Sequence, residues 1–205
     1  MRIAFFASGN GSTFQSLVEC IRAEKIAAEP ALLICTKDNA YVLERALSLG
    51  IPCEIIARRN YHDGAAHAAA MLETLEKFNC DWIFLCGYME LVPPQVVSAF
   101  RNKIVNIHPA LLPAFGGKGM YGARVHEAVL NYGAKVTGAT VHFVDEEYDH
   151  GPVIAQQVVM VRPDDTVERL GERVQNAEKN LYRGALKVLA SGKYEINGRI
   201  VKFIP

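Results

Sequence analysis

The chain has 205 residues, of which 50% are hydrophobic, and this is enough for one large domain with a sizeable core. Lysine plus arginine number 22 and aspartate plus glutamate also number 22, which argues against a general binder of nucleic acid or membrane surfaces. The five cysteines form no C-x-x-C pair, and this indicates free thiols in a reducing cytosol instead of a disulfide framework. Because the sequence shows no signal peptide and no membrane-spanning run, we expect a cytoplasmic protein.

Strands and helices alternate through the first half of the chain. We predict strands over 1–8, 31–35, 51–57, 81–88 and 104–107, and helices over 14–25, 41–49, 64–78 and 93–100. The predicted strands are apolar almost throughout, which is typical of a parallel sheet covered by helices on both faces. We therefore expect a Rossmann-like, three-layer α/β fold whose ligands bind beyond the carboxyl ends of the strands.

The second half has a different pattern. Long β-branched runs over 135–144 and 153–161 predict an antiparallel pair at one edge of the otherwise mostly parallel sheet. Helices are predicted over 124–132 and 166–189, the second with Asp165 and Thr166 as candidate caps. Asn197-Gly198 predicts a hairpin over 193–204. No linker or repeat interrupts the pattern, so we predict a single domain.

The first candidate site follows the predicted strand 104–107. Asn106 and His108 are two residues apart, so their side chains share one face of that strand. An amide donor and a titratable ring directed at one point suit acyl-transfer chemistry. The alternative is a hydrogen-bonded pair that only shapes the proline loop formed by Pro109 and Pro113.

The second candidate site is the loop Gly9-Asn10-Gly11-Ser12-Thr13 between the first strand and the first helix. Glycines let backbone amides approach an anion, and a helix N-terminus favours negative charge, so this loop could bind phosphate. The alternative is a plain tight turn in which Ser12 or Thr13 caps the helix.

The remaining titratable residues leave several questions open. One carboxylate of the acidic loop 145–152 could reach His108 and raise its pKa, but the residues do not show which one. We expect His62 and His67, near a helix start, to be exposed. His142 could face a ligand or pack in the core. Because no H-x-H or H-E-x-x-H spacing is present, a metal site is not favoured.

Three stretches taken together resemble the phosphoribosylglycinamide formyltransferase family of the folate-dependent formyltransferases. They are SGNGS at 8–12, NIHPALLP at 106–113, and VTGATVHFV at 136–144 followed by Asp149-x-Gly151-Pro152. The similarity runs in order through nearly the whole chain. It implies an enzyme that transfers the formyl group of 10-formyltetrahydrofolate to the amine of 5-phosphoribosylglycinamide in purine (IMP) biosynthesis.

The resemblance also implies site residues. The family's catalytic trio matches Asn106, His108 and Asp149. Asn106 and His108 would stabilise a tetrahedral intermediate, and Asp149 would be the carboxylate that raises the pKa of His108. The residues matching the substrate site are Gly11, Ser12 and Thr13 in the phosphate loop and Glu178 near the ribosyl group. The residues matching the folate pocket are Met89, Glu90, Leu91, Val92, Asn106 and Asp145.

The resemblance divides the expected domain into a phosphate-binding half, 1–100, and a catalytic and folate-binding half, 101–205. We expect small-molecule substrates, no metal, no nucleic acid and no membrane, and either a monomer or a weak homodimer. The family often has a basic residue where Gly64 and Glu90 stand. How the glutamate tail of the folate would be bound is therefore an open question. The glycine-rich segment 116–122 is longer than usual, and it predicts a mobile loop to which Lys118 adds positive charge.

Three alternatives remain beside this prediction. A formyltetrahydrofolate hydrolase usually has an extra N-terminal domain and a histidine where Pro109 stands, so we expect it less. A methionyl-tRNA formyltransferase would need a C-terminal tRNA-binding domain and a basic charge balance. A non-catalytic binding module on the same fold would not need Asn106, His108 and Asp149 together.

Overall fold

The structure is a computed structural model, and it describes residues 1–204. The strands are β1 (Arg2–Ala7), β2 (Glu29–Cys35), β3 (Cys53–Ile55), β4 (Trp82–Leu85), β5 (Ile104–His108), β6 (Val136–Phe143), β7 (Val153–Met160), β8 (Tyr194–Asn197) and β9 (Ile200–Phe203). The helices are α1 (Ser12–Ala23), α2 (Val42–Ser48), α3 (Gly64–Lys77), α4 (Pro94–Ala99), α5 (Ala123–Tyr132) and α6 (Val167–Ser191), and Arg58–Asn60 forms one 3-10 turn.

Seven strands form one sheet in the order β3-β2-β1-β4-β5-β6-β7, and β8 and β9 form a separate pair. Strands β1 to β5 pair in parallel, whereas β6 and β7 pair antiparallel. The predicted α/β, mostly parallel fold with an antiparallel edge is therefore confirmed. The chain divides into two compact units, residues 1–105 and residues from 106 onward. The single domain with halves 1–100 and 101–205 stays a prediction.

The core of the first unit forms around β1, because that strand is apolar at every position after Arg2. Phe5 is fully buried and pairs in register with Leu33 of β2 and Phe84 of β4. Its ring also packs edge-to-face on Phe14 of α1, at 5.2 Å between ring centroids. Burying each such side chain stabilises the fold by about 1.5–3 kcal/mol.

Two predicted strands of this unit are shorter than expected. β3 spans only Cys53–Ile55 of the predicted 51–57, and β4 ends at Leu85 where the prediction continued to 88. Ile51, Ile56 and Ala57 beside β3 and Cys86 after β4 are buried, so burial alone made them resemble strand residues. Hydrogen bonding to a neighbouring strand, which a sequence pattern does not report, decides where a strand ends.

The second unit is built on the β6–β7 pair and α6. Gly138 of β6 lies so close to the β7 backbone that a Cβ there would overlap the carbonyl of Gln157. The Thr166 side chain accepts a hydrogen bond from the Arg169 N–H, which confirms Thr166 as the cap of α6. The other candidate, Asp165, instead accepts hydrogen bonds from the Arg173 guanidinium.

The predicted C-terminal hairpin is confirmed as β8 and β9, which pair antiparallel around Asn197-Gly198. Gly198 has a φ of +58°, a left-handed conformation that glycine adopts without steric cost. Within residues 1–204, none of the helices combines the length and apolar character needed to cross a membrane.

Candidate active site

Asn106 and His108 lie at the carboxyl end of β5. His108 contacts the Asp149 carboxylate directly, and Asn106 is connected to it through His142. The His108 Nδ1 atom is 3.4 Å from the Asp149 Oδ2 atom. The Asn106 Nδ2 atom is 3.1 Å from the His142 Nε2 atom, which lies 3.6 Å from Asp149 Oδ1. The structure therefore brings Asn106, His108 and Asp149 together, with His142 as the link between the amide and the carboxylate.

Asp149 is held in place by its own loop. Its φ of +55° is unusual for a residue other than glycine, and its side chain is only 11% exposed. The Gly117 N–H donates to Asp149 Oδ2 over 2.9 Å. Burial acts to raise the pKa of Asp149, but the neighbouring His142 and His108 and the Gly117 N–H outweigh it and lower that pKa. Asp149 is therefore a carboxylate at neutral pH.

Both ring nitrogens of His108 face hydrogen-bond acceptors. The Nε2 atom is 2.8 Å from the Phe115 carbonyl oxygen, and the Nδ1 atom is 3.4 Å from the Asp149 carboxylate. A carbonyl and a carboxylate can only accept, so a neutral ring donates to one of them and the imidazolium donates to both. Burial lowers the pKa of His108 and prevails over Asp149 and the Phe115 carbonyl, which act to raise it. Asp149 therefore acts on the His108 pKa in the expected direction, and burial outweighs it.

His142, whose role the sequence left undecided, is buried and contacts two of the predicted catalytic residues, Asn106 and Asp149. Its Nδ1–H donates to the Phe143 carbonyl over 2.7 Å, so the Nε2 lone pair accepts from the Asn106 amide. One Asn106 amide hydrogen is used in this way, and the second remains available to a ligand. The available signal was the spacing of Thr140 and His142, which places two polar side chains on one face of an apolar strand.

The loop after β5 is anchored to the β6–β7 pair at its beginning. The Thr140 hydroxyl donates to the Ala110 carbonyl over 2.6 Å and accepts from the Leu112 N–H over 3.0 Å. The Gln156 amide donates to the Leu112 carbonyl over 2.9 Å. Further along the loop, a Cβ at Gly116 would overlap Leu112 and lie 3.3 Å from the Asp149 Cβ. The mobility of 116–122 stays a prediction.

The glycine loop of the first unit begins α1 in a way that excludes one alternative. Gly11 is the N-cap, with a φ of 77°, and neither Ser12 nor Thr13 supplies a side-chain cap. A Cβ at Gly11 would overlap the Val42 side chain, so the position requires glycine. First-turn amides have no intrahelical partner and can bind an anion. The cap by Ser12 or Thr13 is therefore wrong, the plain tight turn is not contradicted, and phosphate binding stays a prediction.

A cavity of about 540 Å³ lies within the first unit. Its lining is largely apolar, from Leu91, Val92, Pro93 and Pro94. The residues that complete it are Arg58, Gly64, Ala65, His67, Glu90 and Gln95. Three of the predicted folate-binding residues of the stretch 89–92 therefore line one cavity. Met89 is absent from the lining and is 48% exposed.

The polar wall of this cavity is formed by His67 and Glu90. The Glu90 carboxylate accepts from the Arg58 backbone N–H over 3.1 Å, and its Oε2 atom lies 3.9 Å from His67 Nε2. Contrary to our expectation His67 is buried, with a side chain 2% exposed and an Nε2 atom without a hydrogen-bond partner. Burial lowers the pKa of His67, and the Glu90 charge opposes this. Of the two histidines His62 and His67, only His62 is exposed as expected, with a side chain 80% accessible.

Two other predicted site residues lie in the second unit. The Asp145 carboxylate accepts a hydrogen bond from His150 Nδ1 over 2.8 Å. Glu178 lies on α6, where burial raises the pKa of its carboxyl group to about 7, and Lys179 opposes the shift. Their binding roles stay predictions. Among residues 1–204, no group of three or more His, Cys, Asp or Glu side chains is arranged to hold a metal ion.

The sequence and the fold of this chain are similar to those of known proteins. The sequence profile of the formyl transferase family matches residues 1–186. The chain therefore belongs to the formyl transferase family.

Individual relatives show how far the similarity extends. The chain is 43% identical to the chloroplastic phosphoribosylglycinamide formyltransferase of Arabidopsis thaliana, over 88% of this chain and 62% of that protein. It is 39% identical to the phosphoribosylglycinamide formyltransferase of Bacillus subtilis, over 92% of this chain and 94% of that protein. The crystal structure of glycinamide ribonucleotide transformylase 1 from Symbiobacterium toebii superposes with a TM-score of 0.93 at 37% identity, over 100% of this chain and 94% of that one. The chain thus spans about three fifths of the plant relative and nearly the full length of the bacterial ones.

Proposed function

We propose that this protein transfers the formyl group of 10-formyltetrahydrofolate to the amine of 5-phosphoribosylglycinamide, a step of purine biosynthesis. The observation that carries the proposal is the contact of Asp149 with both His108 and His142, the second of which orients the Asn106 amide. The names of the Arabidopsis, Bacillus and Symbiobacterium relatives support the same reaction.

The amine nitrogen attacks the formyl carbon, and the formyl oxygen gains negative charge. The free Asn106 amide hydrogen donates to this oxyanion, and one such donor is typically worth about 3–4 kcal/mol. His108 accepts the proton that the amine loses. The imidazolium that forms is stabilised by Asp149, and together with Asn106 it stabilises the oxyanion of the tetrahedral intermediate. The bond from the formyl carbon to N10 then breaks, and His108 returns the proton to N10. Proton transfer of this kind typically contributes about 10²–10⁴-fold.

Each proposed binding element is formed by residues of a single unit. The phosphate of the amine substrate binds the backbone amides at Gly11, Ser12 and Thr13. Glu178 of the second unit contacts its ribosyl group. Since aromatic rings bind in apolar cavities, the cavity lined by Leu91 and Val92 suits the folate.

Further parts of the proposal concern the folate contacts and the setting of the protein. Met89, Glu90 and Asp145 complete the folate contacts. We propose that the protein acts in the cytoplasm on small molecules alone, as one domain without metal, nucleic acid or membrane, and as a monomer or weak homodimer.

An assay with both substrates, and with the folate alone, tests the proposal. We expect tetrahydrofolate to appear only when the amine is present. Release of tetrahydrofolate and formate without the amine would instead identify a hydrolase, and no turnover in either reaction would identify a binding module. EDTA is expected to leave the rate unchanged, and a loss that added metal restores would contradict the metal-free reaction.

A further inference from the structure

The glycine loop before α1 lies against the beginning of α2, and two of its carbonyl groups are bound there. The Val42 N–H donates to the Gly9 carbonyl over 3.1 Å. The Arg45 Nε–H donates to the next carbonyl, that of Asn10, over 2.8 Å. A peptide group is planar and trans, so its N–H points in the direction opposite to its C=O. The N–H groups of Asn10 and Gly11 are therefore directed away from these two donors of α2.

The direction of these N–H groups decides what an anion meets at the loop. Gly11 directly precedes the first turn of α1, whose amides no side chain caps. If the Asn10–Gly11 peptide turned over, its carbonyl oxygen would replace the N–H and repel a phosphate. Gly11 has no Cβ to restrict its backbone, so it does not by itself prevent this rotation. The bond from Arg45 to the Asn10 carbonyl holds the peptide in the orientation that suits an anion.

The Arg45 guanidinium is itself held on both sides of Gly11. Its Nη2 atom donates to the Asn10 side-chain oxygen over 2.9 Å, and its Nη1 atom donates to the Gln15 side-chain oxygen. The guanidinium also lies over the Tyr41 ring, at 4.8 Å from the ring centroid. One side chain of α2 therefore binds the residue before Gly11 twice and a residue of the first turns of α1 once.

We propose that Arg45 is a positioning residue for the phosphate of the amine substrate: its guanidinium holds the Asn10 carbonyl and so keeps the Gly11 N–H directed at that phosphate. The inference rests on the proposed function for the identity of the phosphorylated ligand. Lysine has the same charge but lacks the planar fork that reaches three acceptors at once. A role through charge alone and a role through positioning therefore predict different results for Arg45→Lys.

Binding of two ligands to Arg45→Ala tests the inference without turnover. The ligands are 5-phosphoribosylglycinamide and its dephosphorylated form, each measured by calorimetry in the absence of the folate. We expect the affinity for the phosphorylated ligand to fall about 10–100-fold, the range for losing one hydrogen bond to a charged group. The affinity for the dephosphorylated form is expected to stay unchanged, because the Gly11 N–H is directed at the phosphate alone.

Steady-state formyl transfer gives the second readout. The KM for 5-phosphoribosylglycinamide is expected to rise by a similar factor in Arg45→Ala, while kcat and the folate KM change little. A purely structural role would not separate the KM values of the two substrates in this way. Arg45→Lys is expected to recover only part of the lost affinity. Full recovery would show that the charge suffices and would overturn the positioning role.

Arg22→Ala is the matched control. The Arg22 guanidinium of α1 donates to the Leu49 carbonyl at the end of α2 over 2.6 Å, far along both helices from the glycine loop. The control thus loses the same charge and a bond between the same two helices. It is expected to keep the affinity for both ligands. If Arg45→Ala does not fold, Arg45→Lys is expected to show an intermediate loss for the phosphorylated ligand alone.

The outcomes separate this inference from the proposed function. Equal weakening of both ligands in a folded Arg45→Ala protein overturns the inference, and so does unchanged binding of the phosphorylated one. An original protein that binds both forms equally well overturns it too, whatever its turnover. A loss confined to the phosphorylated ligand, in a protein without formyl transfer, overturns only the proposed function.

Discussion

Replacing Asp149 by asparagine removes the charge beside His108 and preserves the shape of the side chain. The amide oxygen can still accept from the Gly117 N–H, so the loop is expected to stay in place. What is lost is the attraction between the carboxylate and the imidazolium that forms when His108 takes the proton of the amine.

The distance gives the size of this loss. His108 Nδ1 and Asp149 Oδ2 are 3.4 Å apart, and both side chains are nearly buried, at 4% and 11% exposed. At an effective dielectric constant of about 20, two unit charges near this distance attract each other by about 4 kcal/mol. Each ~1.4 kcal/mol changes a rate tenfold, so kcat is expected to fall about 10³-fold.

The assay is steady-state formyl transfer across pH, together with thermal unfolding. Without Asp149 the pKa of His108 falls further, so the residual activity is expected to persist to lower pH than in the original protein. Glu147→Gln is the control, because Glu147 is an exposed carboxylate of the same loop. It is expected to alter kcat less than threefold. A folded Asp149→Asn protein with unreduced kcat would refute the role given to this carboxylate.

Three further predictions concern single side chains. His142→Ala releases the Asn106 amide, so kcat is expected to fall about 10–100-fold with unchanged substrate KM; an unaltered kcat would show that Asn106 needs no such partner. Arg173 lowers the pKa of Asp165 to about 2, so this carboxylate contributes stability above pH ~4 that is lost as the pH falls toward 2. Acid titration of unfolding should show Asp165→Asn less stable by about 1–2 kcal/mol at pH 7 and equal near pH 2, and a constant difference would contradict the assignment. Gly11→Ala forces a left-handed alanine, so we expect a loss of about 1–2 kcal/mol of stability and a higher KM for the phosphorylated substrate; a change in folate KM alone would speak against the phosphate loop.

Several local features could be predicted because their causes lie close together along the chain. Thr166 caps α6 through a hydrogen bond to a residue three positions away, and Asn197-Gly198 turns the chain where two short strands meet. The apolar strands and their alternation with helices were sufficient to predict the parallel sheet. The positions of Asn106 and His108 follow from strand periodicity alone.

Other features could not be predicted because they depend on residues far apart in sequence. His67 is buried, contrary to expectation, whereas His62, five positions earlier, is exposed. The helix period places His67 with Met71 and Leu75 on the buried face of α3, but no local pattern reports its neighbour Glu90, 23 positions away. The net pKa of His108 depends on distant residues in the same way: the action of Asp149, which raises this pKa, could be expected from the motif, but the extent of the burial that outweighs it could not.

The sequence by itself determined the fold class, the order of the strands along the chain, the two candidate caps of the last helix and the residues available for chemistry, because periodicity and short-range hydrogen bonds act within a few residues. Only the tertiary structure decided that His142 contacts the Asn106 amide and that both ring nitrogens of His108 face acceptors. The charge state of a buried imidazole depends on solvent exclusion and on partners that meet only when the chain has folded.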